Sequence, residues 1–179
     1  MWVDPSSEGF LRGVQIENFD PNSMLVAGGT GAGKHVEVFF QDKCPVPQLP
    51  KANGGHCLVV TPDNVLLSCG GDASPQTCYS LDVTGGVWNH HSTLREEREG
   101  SLAINLPSGA FIFGGMQSPQ TSEYLPASDQ TWQVGPTVPE GGIDRGCVVK
   151  VSPTEILLIG GYSGGRESDQ VIKYTDGGA

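Results

Sequence analysis

The sequence has few cationic side chains, no long apolar run and no segment suited to a helix of ordinary length. Its 10 lysines and arginines face 20 aspartates and glutamates, which gives a formal net charge of −10. A chain this acidic repels nucleic-acid phosphates and anionic membranes. No stretch approaches the roughly 20 apolar residues of a membrane-spanning helix, and the first residues do not resemble a secretory signal. We therefore expect no nucleic-acid partner and no membrane partner.

Motifs for metals and for common catalytic machinery are also missing. The cysteines form no C-x-x-C spacing and the histidines no H-x-x-H spacing, which argues against a structural zinc. His90 and His91 are adjacent on a predicted outer strand, so their side chains point to opposite faces and cannot share one metal. No glycine-flanked serine or fixed pair of carboxylates stands out. The sequence thus predicts no cofactor, no metal site and no catalytic residue set.

The five cysteines allow a disulfide but do not require one. Cys69 ends one predicted strand and Cys78 begins the next, so a cross-strand bridge is compatible with a hairpin. Cys57 and Cys147 match each other on predicted innermost strands, which favours burial as small apolar side chains.

Glycine and short apolar runs are abundant. The 26 glycines and 13 prolines are spaced along the chain and do not form a low-complexity tract. They bound runs of strand length, such as "HCLVVT", "NVLLSCGG", "GAFIFGG" and "EILLIGG". This alternation of short β-branched or apolar runs with turn residues is typical of an all-β fold.

Pairs of glycines reveal an internal repeat. Pairs begin at positions 28, 70, 114 and 160, at spacings of 42, 44 and 46 residues. A tyrosine follows three of the pairs, and a tryptophan follows two of those tyrosines. Large aromatic side chains with one polar group suit packing between stacked sheets, so each repeat predicts one small sheet that needs neighbours. The aromatic residues are Tyr79, Tyr124, Tyr174, Trp88 and Trp132.

These elements resemble the kelch-repeat β-propeller family. The resemblance rests on the glycine pairs, on "CYSLDVTGGVW" and "SEYLPASDQTW", and on the arginine after each tryptophan. It implies one domain over 1–179, an all-β propeller of about four blades, each a four-stranded antiparallel sheet. The first unit departs most, since it lacks a tryptophan and has His56 in place of the arginine. The implied blades are about 10–48, 55–91, 99–135 and 146–175 plus 1–4.

The two ends of the chain match the repeat when they are joined. "YTDGGAMW" parallels "YSLDVTGGVW", so Trp2 and Arg12 fill the places of Trp88 and Arg98. An N-terminal strand is therefore predicted to complete the last blade, which would leave no exposed sheet edge. A ring shared by two chains and a fragment of a longer propeller are the alternatives.

The segment "GGTGAGKH" at 28–35 looks like a phosphate-binding loop but lacks its context. A phosphate loop has serine or threonine after the lysine and then a helix, whereas His35 follows Lys34 here. The next residues, "HVEVFF", alternate like a strand. We predict a propeller loop with no nucleotide.

Candidate binding residues gather on one predicted face. Strands of a propeller blade alternate in direction, so the loops between second and third strands share a face with the links between blades. Four of the five arginines fall in these links. They could bind an anionic ligand, or Arg12, Arg98 and Arg145 could hydrogen-bond carbonyls of neighbouring blades, because repeated residues are usually architectural. The candidate ligand-binding residues are Lys34, His56, Asp72, Arg12, Arg98, Arg145 and Arg166.

A propeller fold does not by itself select a function. The leading hypothesis is a non-catalytic binding module that offers its loop face to a protein or glycan. One alternative is a structural, self-assembling protein that shares or exchanges blades, for example as a homodimer. The other is an enzyme of the sugar-acid isomerase kind, with Arg12, His56, Arg98 and Arg145 at the channel.

Overall fold

All regular structure in the described part of the chain is β-strand. The strands form antiparallel sheets, and no helix occurs among the residues described. This confirms the predicted all-β class. The computed structural model describes residues 12–15, 24–27, 33–34, 36–39, 47–82, 84–127, 129–139 and 141–177.

The strands are short, as their glycine- and proline-rich boundaries predict. In chain order they are β1 (Arg12–Gln15), β2 (Met24–Ala27), β3 (Val36–Phe39), β4 (Cys57–Val60), β5 (Leu66–Cys69), β6 (Thr77–Asp82), β7 (Val87–Thr93), β8 (Leu102–Leu106), β9 (Gly109–Phe113), β10 (Ser122–Pro126), β11 (Gln133–Val134), β12 (Cys147–Lys150), β13 (Glu155–Ile159), β14 (Tyr162–Ser163), β15 (Arg166–Glu167) and β16 (Val171–Thr175).

In the described part of the chain, four sheets follow one another. Sheet 1 has the order β1-β2-β3, sheet 2 β4-β5-β6-β7, sheet 3 β8-β9-β10-β11, and sheet 4 β12-β13-β16. The β14–β15 hairpin is inserted between the second and third strands of sheet 4. The N-terminal strand predicted to complete this sheet, residues 1–4, lies outside the described residues.

The segment after Lys34 is a strand, as predicted, and not the helix of a phosphate loop. β3 pairs antiparallel with β2, with Ala27 opposite Val36. Gly33 and Lys34 form part of the turn that precedes β3. A strand in this place offers no helix N-terminus for a phosphate group.

The sheets stack face to face, and each junction is an apolar cluster. Ala27 and Val36 of sheet 1 pack with Leu58 and Trp88 of sheet 2. Between sheets 2 and 3 the cluster includes Leu67 and Trp132, and between sheets 3 and 4 it includes Phe113 and Leu158. We call the face of a sheet towards the next sheet in the chain its leading face, and the opposite one its trailing face.

The tryptophans lie in these junctions and reach back to the preceding unit. Trp132 of sheet 3 is 1% exposed, and its Nε1 donates to Ser92 Oγ of sheet 2 at 2.9 Å. Trp88 of sheet 2 is 9% exposed, and its Nε1 donates to the Pro47 carbonyl at 2.9 Å. The prediction that spaced aromatics pack between stacked sheets is confirmed at both.

First strands of successive sheets lie side by side along the stack. β1 contacts β4, β4 contacts β8, and β8 contacts β12. Among the described residues no comparable contact joins β12 to β1. The leading face of sheet 4 is therefore uncovered in the described structure.

Candidate functional site

Glycine-pair loops and inter-sheet links meet on the same side of the stacked sheets, at the ends of their strands, as predicted. We define the first link as 47–56, the second as 94–101 and the third as 135–146. Gly71 N donates to the Arg98 carbonyl at 2.7 Å, and Gly115 N to the Ile143 carbonyl at 2.9 Å. We call the surface built from these links and loops the loop face.

The second glycine of the best-defined pairs, like the first, has a left-handed backbone. φ is +69° and +97° at Gly70 and Gly71, and +65° and +114° at Gly114 and Gly115. A side chain on Gly114 would place its Cβ 1.9 Å from the Ile143 carbonyl oxygen. Glycine is thus required both by conformation and by the close approach of the link.

The three links are joined by a chain of backbone hydrogen bonds. Gly100 N donates to the Gly55 carbonyl and Arg145 N to the Gly100 carbonyl, each at 2.7 Å. The three residues share a left-handed backbone, with φ of +65°, +72° and +52°. Arg145 therefore stands where the other two links have glycine.

This equivalence corrects the repeat derived from the sequence. Arg98 and Arg145 are not matching residues, because the partner of Gly71 in the second link is Arg98 and the partner of Gly115 in the third is Ile143. Sequence reasoning aligned the two arginines by type, whereas the backbone places them two residues apart in the repeat.

Arg98 is an architectural residue with a fully buried side chain. Its Nε donates to Glu123 Oε1 at 2.9 Å, and its Nη1 donates to the carbonyls of Gly114 at 2.7 Å and Thr121 at 3.2 Å. Both charged side chains are buried, at 0% and 2% exposure. The predicted bonding of Arg98 to neighbouring carbonyls is confirmed, and it leaves Arg98 beneath the loop face.

Asn53 performs the equivalent task in the first link. Its Nδ2 donates to the Gly70 carbonyl at 2.7 Å, as Arg98 does to Gly114. The repeat thus keeps a hydrogen bond while changing the residue that makes it. In the third link the equivalent residue is Ile143, which is buried and apolar.

Arg145, in contrast, is held at the surface. Its side chain is 49% exposed, and Nε donates to Asp144 Oδ1 at 2.6 Å. The guanidinium carbon lies 4.6 Å from the centre of the Tyr162 ring, a cation–π distance. The hydrogen bond from Nε to Asp144 raises the pKa of Arg145 above its ordinary value. The guanidinium is therefore fixed, charged and accessible.

Small neighbours make room for this side chain. A Cβ on Gly100 would lie 2.8 Å from Arg145 Cγ, so Arg145 packs directly over the preceding link. Glu99 contributes an attractive charge to Arg145, and its own Cγ lies 2.7 Å from where a Cβ of Gly55 would be. Arg145 of the third link thus covers Gly100 of the second link, and Glu99 of the second link covers Gly55 of the first.

The remaining predicted site residues divide between surface and interior. Lys34, Asp72 and Arg166 are exposed, and Asp72 Oδ1 accepts a hydrogen bond from Gly54 N at 2.8 Å. His56 is fully buried, with Nδ1 3.1 Å from the Asn53 carbonyl oxygen, so it lies below the surface. Arg12 begins β1 opposite Ala27, and its side chain lies outside the described part.

Tyr162 and Glu123 are the important residues that sequence reasoning missed. Tyr162 lies on β14, in a hairpin whose turn residues Gly164 and Gly165 both have positive φ. Two such glycines are a strong hairpin signal, so "YSGGRE" could have been recognised. Nothing in the sequence around Glu123 indicates that it pairs with a residue 25 positions earlier.

The cysteines also take different positions. Cys69 and Cys78 form a disulfide across β5 and β6, with Cα atoms 4.1 Å apart. Cys57 is buried, as expected, but Cys147 is exposed, on the face of sheet 4 that no described sheet covers. Cys44 lies outside the described residues. In the described part of the chain, no cluster of three histidine, cysteine or acidic side chains could hold a metal ion.

The two adjacent histidines lie on β7, the outer strand of sheet 2. His90 is exposed and His91 half-buried. Burial lowers the pKa of His91 below its ordinary value, and its Nδ1 lies 3.0 Å from Ser92 Oγ, which also accepts the bond from Trp132.

No helix long and apolar enough to span a membrane occurs among the described residues.

Neither a protein-family model nor a curated protein sequence matches the chain. Among solved structures, one described as "Structure of YjhT" superimposes with a TM-score of 0.77 at 15% sequence identity. The match covers 94% of this chain and 61% of that one. The two share a fold, and this chain spans 61% of the length of its structural neighbour.

Proposed function

We propose that the four stacked sheets are blades of a kelch-type propeller whose loop face binds a protein or glycan without catalysis. Two observations support the propeller: the repeat of about 44 residues and the same face-to-face packing at the three junctions between the described sheets. The kelch assignment rests on the sequence resemblance.

The backbone at Arg145 is the observation that carries the binding proposal. A left-handed φ costs a non-glycine residue about 1–2 kcal/mol, and the equivalent places in the other two described links are glycine. The contacts with Asp144 and Tyr162 offset part of this cost, yet half of the side chain remains exposed. Backbone conformations that cost energy cluster at functional sites, so we infer that the Arg145 side chain serves a ligand.

The chemistry of the site selects a carboxylate-bearing ligand. Arginine presents a planar array of N–H donors that matches a carboxylate. Asp144 and Tyr162 hold Arg145 through Nε and through the flat face of the guanidinium. A carboxylate of this kind is carried by acidic glycans and by acidic protein loops, and both are ligands to be tested.

The experiment is a screen of immobilised glycans, small carboxylic acids and acidic peptides, followed by titration of the strongest ligand. Arg145→Gly keeps the left-handed backbone and removes the side chain. A charge-assisted hydrogen bond contributes about 1.5–3 kcal/mol, so we expect Kd to rise about 10- to 100-fold. Lys150→Gln, at the far end of β12, removes one positive charge and serves as the control.

Two results would contradict this proposal. Equal affinity of the wild type and Arg145→Gly would remove Arg145 from the site. Conversion of a sugar acid during incubation with the wild type would show an enzyme, since the proposed module only binds.

A further inference from the structure

Glu99 and Arg145 are oppositely charged neighbours on the loop face that do not pair with each other. Arg145 N donates to the Gly100 carbonyl at 2.7 Å, so its backbone lies beside the end of the second link. Glu99 exerts an attractive charge on Arg145. In the described part of the chain, however, the Glu99 carboxylate forms no ion pair and accepts no hydrogen bond. The acid and the base are close, and each keeps its charge for another partner.

Different contacts hold the two head groups apart. Glu99 leans towards the first link, where its Cγ lies 2.7 Å from the place of a Cβ on Gly55. The guanidinium of Arg145 is held by Asp144 and Tyr162, which belong to the third link and to sheet 4. The acid is thus anchored towards the first link and the base towards the third. The loop face therefore carries a negative and a positive charge on opposite sides of the second link.

Both head groups have hydrogen-bonding capacity left for a ligand. Asp144 accepts from Nε of Arg145, and Tyr162 lies against the flat face of the guanidinium, so Nη1 and Nη2 have no acceptor among the described residues. These two nitrogens match the two oxygens of a carboxylate. The Glu99 carboxylate in turn accepts from an ammonium or guanidinium group. A ligand that satisfies both residues carries one anionic and one cationic group.

The charge of the whole protein also favours such a ligand over a purely acidic one. The formal net charge of −10 repels an anion on its way to Arg145, and a cationic group on the same ligand offsets that repulsion.

An exposed methionine beside these charges favours a polypeptide. Met116 is 47% exposed on the glycine-pair loop of sheet 3, and its N donates to the Glu99 carbonyl at 2.8 Å. Methionine is flexible and polarizable, and it is common on surfaces that bind varied polypeptides. A protein segment supplies acidic, basic and apolar side chains together, whereas an acidic glycan supplies the carboxylate without the cation.

We propose that the loop face binds a protein segment in which an acidic and a basic side chain lie close together, the acidic one on Arg145 and the basic one on Glu99. The inference rests on the proposed function of Arg145 and adds Glu99 as the residue that determines specificity. Because the two residues belong to different links, the direction of the segment is fixed. Its acidic group lies towards sheet 4 and its basic group towards sheet 2.

The test uses short capped peptides of glycine and serine that carry one glutamate and one lysine at varied spacing and in both orders. Binding is measured by NMR titration at low salt, about 0.02 M, where exposed ion pairs are little screened. Each peptide has a matched form with acetyl-lysine, which has no charge. We expect the wild type to bind the lysine form of the best peptide about two- to fivefold more tightly, as for an exposed ion pair.

Variants of the protein assign this preference to one residue. Glu99→Gln should reduce the ratio of the two affinities to about one, because it removes only the partner of the lysine. Glu97→Gln is the matched control: it removes one negative charge from an exposed side chain of the same link and should keep the ratio. Arg145→Gly should weaken both forms by the same factor, since the glutamate is common to them.

The outcomes separate this inference from the proposed function. A preference for lysine that survives Glu99→Gln, or that Glu97→Gln reduces as much, would overturn the inference and attribute the preference to net charge. Equal binding of the two forms at every spacing, or no binding of any peptide, would also overturn it. An acidic glycan that needs Arg145 and is indifferent to Glu99→Gln would then leave the proposed function standing. Peptide affinity unchanged by Arg145→Gly would contradict both.

Discussion

Sheets 3 and 4 have the same strand register but different surroundings. Leu102 and Phe113 of sheet 3 are buried, whereas Cys147 and Ile159, which take the same places in sheet 4, are exposed. Among the described residues, sheet 3 is covered on both faces and sheet 4 on one. The comparison teaches that a repeat position fixes the backbone, while the neighbouring sheet decides whether its side chain is core or surface.

The links that lead into these two sheets also differ in which residues they bury and which they expose. The second link buries Arg98 against Glu123, and the third has Ile143 and Ile172 in the equivalent places. The third link instead exposes Arg145 where the second has Gly100. One link uses its arginine to hold the structure, and the other presents its arginine to solvent.

The largest effect is expected when the buried Arg98 is replaced. Arg98→Met leaves Glu123 buried without its cationic partner, and breaking a buried ion pair costs about 3–5 kcal/mol. The same substitution at the equivalent place in the third link, Ile143→Met, exchanges two apolar side chains of similar volume and should cost less than about 1.5 kcal/mol. Urea unfolding measures both free energies, and equal losses would show that the two links are built alike.

The junction tryptophan comes next. Trp132→Ala removes a buried ring and its bond to Ser92, and should lower the free energy of unfolding by about 3–5 kcal/mol. Trp88→Ala should cost no more, because Trp88 is slightly more exposed. Val171→Ala, on the leading face of sheet 4, should change the free energy of unfolding by less than about 0.5 kcal/mol. A small loss at Trp132 would argue against tight packing between sheets 2 and 3.

Two equivalent glycines, one in sheet 3 and one in sheet 4, test how tightly a link packs against each sheet. Gly114 and Gly160 both begin a glycine pair with φ near +60°, so alanine costs each about 1–2 kcal/mol in backbone strain. Only at Gly114 would a Cβ also clash, with the Ile143 carbonyl oxygen, because the atom nearest to a Cβ on Gly160, the Ser168 carbonyl oxygen, is 3.4 Å away. We expect Gly114→Ala to lose at least twice as much stability as Gly160→Ala in thermal unfolding. Losses of equal size would mean that the third link does not close on sheet 3.

A smaller effect is a pH dependence of the free energy of unfolding, which originates at His91. Because burial lowers the pKa of His91 in the folded state, the unfolded chain takes up its proton first as pH falls. Stability is therefore complete above the unfolded pKa of about 6.5 and decreases as pH drops below it. His91→Gln should flatten the unfolding free energy over that window, and His90→Gln should not. A slope that survives His91→Gln would assign it to another group.

Much of the fold could be predicted because its signals are local. Apolar runs of strand length, glycine pairs at a regular spacing and spaced tryptophans indicate stacked small sheets, and Trp88, Trp132 and the strand after Lys34 lie as expected. The site was harder to predict, because the positions of Arg98 and Arg145 differ by two residues in a loop and no periodicity fixes loop register. Burial of Arg98 depends on Glu123, which is distant in sequence, and exposure of Cys147 depends on which sheet lies next to sheet 4, where the described structure has none.

The central claim is that Arg145 is kept for binding and not for packing, and the free energy of unfolding of Arg145→Gly tests it most directly. Glycine relieves about 1–2 kcal/mol of backbone strain, while the partly exposed ion pair with Asp144 is worth about 0.2–1 kcal/mol and the exposed cation–π contact with Tyr162 about 0.5–1 kcal/mol. The account predicts that the free energy of unfolding of the variant lies within about 1 kcal/mol of that of the wild type. A loss of about 3 kcal/mol or more, as expected for buried Arg98, would contradict it and make Arg145 part of the architecture.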